Sequence, residues 1–146
     1  MKIQRYTRDD MPTLLRQHGI NPTHQRIEIA YAMFSSHEHL CADQIMTIVN
    51  SRYSETSKAT VYNTLNLFVE KKLIREVIVD PSKVFYDANT IPHHHFYNVV
   101  SGELTDIDST IEISGLPVLP SGVIAEGIDV IVRIRPQQPE IAEAVA

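Results

Sequence analysis

The stretch KATVYNTLNLFVEKKLIREVIVDPSKVFYD, residues 58–87, decides the fold of this chain. Its first part predicts a helix over 58–71, because Val61, Leu65, Phe68 and Val69 recur at the i, i+4, i+7, i+8 spacing of one helical face. Thr60, Asn63 and Leu67 then lie largely on another side. The second part, LIREVIVDPSKVFYD, holds two β-rich runs around the turn signal DPSK, the pattern of a β-hairpin.

Upstream, three further helices are expected. Residues 9–18 open with acids and a proline in the first turn and stop at Gly19. Residues 23–34 carry Ile27, Ala30, Tyr31 and Phe34 at 3, 4 and 7 on one face, and residues 42–52 offer Ile45, Ile48 and Val49 to a core. The turn SETS separates this third helix from the fourth. Helices joined by a turn and closed by a hairpin predict a winged helix-turn-helix, whose second helix enters the DNA major groove. Arg26, Lys58, Arg75 and Lys83 are the basic residues placed to meet phosphates, and Thr60 and Asn63 lie on the outward side of the reading helix. A winged helix used only as a protein-interaction module is the competing reading.

Past residue 90 the pattern changes to short strands: HHHFYNVV, ELTDID and GIDVIVRIR, the last with Ile128, Val130, Val132 and Ile134 alternating. Between them ISGLPVLPSG, with two prolines and two glycines, excludes a long helix. The tail PQQPEIAEAVA is expected to be mobile, and no internal repeat is found. The fold class is therefore α+β: a winged-helix DNA-binding domain over 1–90, then a small, mostly β domain for dimerisation and metal sensing over 91–146. Charge supports the division. The first 90 residues hold eleven of the thirteen Lys and Arg against ten acids, and the remainder holds two against eight.

Composition narrows the class further. A chain of 146 residues, 43% hydrophobic and 21% charged, can bury a core, which excludes a disordered protein. No apolar run approaches a membrane span and no secretory signal opens the chain, so a cytoplasmic protein is expected. One cysteine, Cys41, allows neither an internal disulfide nor a four-cysteine zinc site.

The seven histidines cluster at 18, 24, 37 and 39 and again at 93–95. Alternate residues of a strand share a face, so His93 and His95 can present two imidazoles to one ion while His94 points away. Asp87 closes the hairpin, Asp106 falls on a neighbouring strand, and His39, or His37 in its place, follows the second helix. Such a nitrogen and oxygen set suits Fe(II), Mn(II) or Zn(II). Cys41 is read as a packed residue, and His18 and His24 as surface residues. An open site of two His and one carboxylate in a non-haem Fe(II) enzyme is the alternative, though no further acid-base set accompanies it.

Five pieces, PTHQR (22–26), HEHLCA (37–42), KATVYNTLNLF (58–68), VFYD (84–87) and HHHF (93–96) followed by Gly102, stand in the order found in the ferric uptake regulator (Fur) superfamily, which the chain resembles over nearly its whole length. The resemblance implies a DNA-binding, metal-sensing homodimer acting on a double-stranded operator. It places Tyr62 on the recognition helix, and His39, Asp87, His93, His95 and Asp106 on the regulatory metal site. Three departures stand out. Asn98, Val99, Val100, Ser101 and Gly102 occupy the place of the family's zinc-binding cysteine pair, so no structural four-cysteine zinc is expected; Asn63 stands where many members carry Arg; and the Pro and Gly segment replaces a helix. TVYNTLN, the HHH run, the missing cysteines and the late IVRIR strand resemble the iron response regulator (Irr) subgroup. That implies a response to iron or haem, with histidines as the axial ligands of any haem, and control of iron and haem metabolism genes. A peroxide-sensing regulator of the same family is the nearest rival.

Overall fold

A computed structural model describes residues 5–36, 38–52 and 55–138. His37, part of the SETS turn and most of the C-terminal tail lie outside the described residues. The chain divides into two compact units, one ending at His93 and the other beginning at His94. No helix among the described residues is long and apolar enough to cross a membrane.

The first unit starts with a single 3-10 turn, Arg8–Asp10, that runs into α1 (Met11–Gln17). Thr7 donates its backbone N–H and its hydroxyl to the Asp10 carboxylate, at 2.7 and 3.0 Å, closing a capping box. Gly19, at a φ of +71°, ends the helix with the left-handed conformation that glycine adopts freely. Helices α2 (His24–Ser35), α3 (Ala42–Arg52) and α4 (Lys58–Glu70) follow.

Helix α2 is more deeply embedded than its sequence pattern suggests. Ile29, Ala30, Ala32 and Met33 are buried, while Ile27, Tyr31 and Phe34, the expected core stripe, are half-buried at its margin. The reason is position: α2 packs against α1, α3 and α4 and so has core on more than one side. Buried Glu28 is tolerated there because Arg8 donates to it, with Nε at 2.6 Å from Oε1.

Helix α4 follows its prediction closely. Val61, Leu65 and Phe68 are buried, each stabilising the core by about 1.5–3 kcal/mol, and Val69 packs at the edge. Leu67 differs from expectation. It is half-buried against the core, because the α4 face that meets neighbours is wide enough to take in Thr64 and Leu67 as well. After α4, Lys72 adopts a left-handed φ of +59° and the Leu73 N–H returns to the Phe68 carbonyl at 2.9 Å, turning the chain into the hairpin.

Strands β1 (Arg75–Asp80) and β2 (Lys83–Asp87) pair antiparallel, Arg75 opposite Asp87 and Val77 opposite Phe85. At the tip, Ser82 donates its N–H and hydroxyl to Asp80 Oδ1 at 2.8 and 2.7 Å. Those two bonds hold the Asp80 carboxyl below its ordinary range. The period-2 pattern holds: Val77 is buried and Ile78 is exposed.

The second unit is a three-stranded sheet in the order β4-β3-β5. Strand β3 (His95–Asn98) pairs antiparallel with β4 (Leu104–Asp106) and parallel with β5 (Ile131–Ile134). The Asn98 side chain accepts the N–H groups of Val100 and Ser101, at 2.9 and 3.0 Å, and the Gly102 N–H donates to the Asn98 carbonyl at 2.8 Å. An amide thus pins the turn at the positions where the resemblance places cysteines. Residues 107–130 connect β4 to β5 without helix or strand, and β5 is shorter than the alternation of Ile128 to Ile134 suggests.

Candidate metal centre and nucleic-acid interface

In the first unit three ligand residues converge because of one backbone contact. The Tyr86 N–H donates to the Leu40 carbonyl at 2.8 Å, joining the segment after α2 to strand β2. This bridge puts His39, one residue before Leu40, beside Asp87, one residue after Tyr86. Asp87 Oδ2 lies 3.6 Å from His39 Nε2 and 2.8 Å from His93 Nε2. The ligand atoms of the three residues are all within 4.8 Å of one another.

Each partner is oriented by a further hydrogen bond. Asp87 Oδ1 accepts the Asn89 N–H at 2.9 Å, which directs Oδ2 toward the imidazoles. His93 Nδ1 lies 2.6 Å from the Ile91 carbonyl oxygen, an acceptor only, so Nδ1 carries the proton. In the neutral ring Nε2 then presents a lone pair to a carboxylate oxygen, which is repulsive unless a proton or a cation lies between them. A backbone carbonyl that takes one ring N–H and so orients the other nitrogen is the outer-shell arrangement of metal-binding histidines. The donor set fits a borderline divalent ion.

In the second unit the pairing register sets another ligand pair. His95 lies opposite Asp106 across β3 and β4, with Nε2 3.3 Å from Oδ1, and His95 is fully buried. The sequence pattern places His93 and His95 on one strand face. The structure instead starts the strand at His95, and His93 precedes it as the last residue of the first unit. His94 serves a separate purpose, since its Nδ1 accepts the Val130 N–H at 3.0 Å and ties the approach to β5 onto the start of β3. Cys41 is half-buried, and its N–H donates to Gln44 Oε1 at 2.9 Å at the start of α3.

The outward face of α4 carries Ala59, Tyr62, Asn63 and Asn66, all exposed. Asn66 is an addition to the residues expected from sequence, although it lies three residues after Asn63 and therefore on the same face. Thr60 is half-buried, and its N–H donates to Ser57 Oγ at 3.1 Å, with the two hydroxyls 2.9 Å apart, so it belongs to the helix cap. Lys58 sits 5.9 Å from the Tyr62 ring centroid. Of the other basic residues, Lys83 is exposed at the wing and Arg75 half-buried on β1, and Arg26 donates to the Asn21 carbonyl at 3.0 Å, which holds it on the loop before α2.

A profile of the Ferric uptake regulator family matches residues 17–115. Peroxide-responsive repressor PerR of Staphylococcus aureus (strain Mu50 / ATCC 700699) is 35% identical over 92 residues, which is 63% of this chain and 62% of that protein. The protein of the same name from Staphylococcus epidermidis (strain ATCC 12228 / FDA PCI 1200) is 33% identical, over 63% of this chain and 61% of its own length. The matches thus span about three-fifths of these relatives. Among solved structures, the ferric uptake regulator from Pseudomonas aeruginosa with manganese aligns with a TM-score of 0.64 at 17% identity, covering 88% of this chain and 98% of that one. A zinc-bound manganese uptake regulator aligns with a TM-score of 0.65 at 19% identity, covering 87% and 98%. Both likenesses are of fold.

Proposed function

Because the chain belongs to the ferric uptake regulator family, we propose that it is a metal-responsive transcription regulator that binds operator DNA as a homodimer. The observation that carries this reading is the convergence of His39 and His93 on one oxygen of Asp87, in the same unit as the winged helix. His95 and Asp106, paired across β3 and β4, are a further proposed pair of ligands within the second unit. An ion held at Asp87, which ends the hairpin of the winged helix, would make the grip on DNA depend on metal. A bound divalent ion would take these imidazole nitrogens and carboxylate oxygens as its ligands.

Fe(II) is the ion we assign, with Mn(II) and Zn(II) as alternatives, and genes of iron and haem metabolism are the expected targets. The support is the donor set and the resemblance of TVYNTLN, the HHH run and the IVRIR strand to the iron response regulator subgroup. Haem has less support, since the nitrogens of His93 and His95 face carboxylates at 2.8 and 3.3 Å, a spacing suited to a bare cation. No enzymatic role is proposed. DNA contact is assigned to Tyr62, Asn63 and Asn66 for bases and to Lys58, Arg75 and Lys83 for phosphates, with Arg26 reaching DNA only if it leaves Asn21.

The test is operator binding by apo protein and after addition of Fe(II), Mn(II), Zn(II) and haem in turn, on DNA selected in vitro by the protein. Metal should change the affinity, and His93→Ala or Asp87→Asn should remove that change while leaving the fold intact. Variants that respond like the wild type would sink the reading.

A peroxide response is the second reading, favoured by the names of the curated relatives. In it, His39 and His93 would help to hold Fe(II), and peroxide would add one oxygen atom to one of these imidazoles while itself being reduced to water. Mass spectrometry of the Fe(II) protein after peroxide distinguishes the two: oxygen added to His39 or His93 favours peroxide sensing, and unmodified histidines favour metal sensing.

A further inference from the structure

The described residues of the second unit make almost no core among themselves. Among its described residues, Tyr97 and Leu104 are the buried apolar side chains, joined by the buried imidazole of His95. Meanwhile residues 112–129 are exposed without exception. Within that run Val118 and Ile124 are 97% and 87% exposed, and Leu116, Leu119 and Val123 are exposed as well. A unit with so little buried surface does not hold together alone, and an apolar segment of this length is not left in water.

We propose that residues 112–129 form an arm that lies across a second copy of this chain and completes its sheet unit. This rests on the homodimer reading above and specifies how the two copies are joined. Charge identifies the occupant. The connection carries Asp108, Glu112, Glu126 and Asp129 and no Lys or Arg, so DNA phosphate does not seat there. The complementary charges of the second unit are Arg133 and Arg135, its two basic residues, and both are exposed on or beside β5. Strand β5 is an edge of its sheet and carries Val132 and Ile134, both exposed. An acidic, apolar arm from one copy therefore meets a basic, apolar edge on the other, and twofold symmetry makes the contact twice. Reach is ample: eighteen residues span up to roughly 60 Å when extended.

The test uses the full chain in two charge-reversed forms, Glu112→Lys with Glu126→Lys on the arm, and Arg133→Glu with Arg135→Glu on the edge. Each alone should dissociate at concentrations where the wild type is dimeric, with a dimer dissociation constant raised by at least about tenfold. Mixed together they should form a heterodimer, because both arm-to-edge contacts are then between opposite charges. Recovery on mixing requires that the contact lies between copies. Sedimentation velocity reads all three samples, with circular dichroism to establish that each is folded. Should the mixture stay monomeric, or should Val118→Asp with Ile124→Asp remain as dimeric as the wild type, the arm proposal is overturned while the homodimer stands. A wild type that is monomeric throughout defeats the homodimer reading itself.

Discussion

At the scale of single residues, adjacent positions do unlike work. His93 is held by the Ile91 carbonyl with Nε2 toward Asp87, whereas His94 spends Nδ1 on the Val130 amide. Replacing His94 by Ala should therefore leave Mn(II) affinity near that of the wild type but accelerate hydrogen exchange at the Val130 amide by up to about tenfold, the equivalent of one ordinary hydrogen bond. Unchanged exchange at Val130 would count against the assignment. Tyr86 offers a test by pH. Burial, with the charge of Glu76 and the phenol of Tyr62 adding to it, pushes its phenol above the ordinary 10.0. The folded state thus binds this proton more tightly than the unfolded state does. The resulting stability is fully present below pH 10 and is lost as pH rises through the folded value. Tyr86→Phe removes the titration, so its urea midpoint should fall less than that of the wild type on going from about pH 9 to about pH 11; equal falls would argue that Tyr86 is not shifted.

At the scale of elements, the outward face of α4 predicts two kinds of effect. Asn63→Ala and Asn66→Ala should each relax preference at one base pair, worth about 1–3 kcal/mol, as read by competition among operator variants. Lys58→Ala should weaken binding to all sequences and lower the salt slope by about 1. If Asn66→Ala left preference untouched, the reading face would be narrower than its exposure suggests. Periodicity made Val61, Leu65 and Phe68 legible as core, since α2, α3 and β1 all pack on α4 and still leave its face of Ala59, Tyr62, Asn63 and Asn66 exposed, so one stripe repeats cleanly. It failed at Ile27, Tyr31 and Phe34, because α2 is packed on several sides and no single stripe describes it. It failed again at Leu67. The turn signal DPSK located the hairpin and so brought Asp87 into view as a candidate ligand. The sequence could not reveal that Asn89 takes one Asp87 oxygen, that Leu40 and Tyr86 bridge, or that β3 begins only at His95. These are contacts between segments, and local pattern carries no information about them.

At the scale of the whole chain, the centre strand of the second sheet is the first of its three to be made. Strand β3 must wait for β4 and then for β5, and the bond from Val130 to His94 spans 36 residues. The first unit is built largely from near neighbours: helix after helix, then a hairpin closed at Asp80 to Lys83. Sequence separation slows folding, because the entropy of closing a long connection is lost before any contact compensates for it. Refolding followed by pulsed hydrogen exchange should therefore protect α2 and α4 in an early phase and the amides of His95 and Val130 in a later one. Simultaneous protection would argue for a single cooperative step. On the ribosome the same order acts as a timetable. The helices and hairpin can fold while synthesis continues, but the open side of β3 stays unsheltered until residue 134 has left the exit tunnel, and for that interval the nascent chain offers a bare edge that a chaperone or a neighbouring nascent copy can seize.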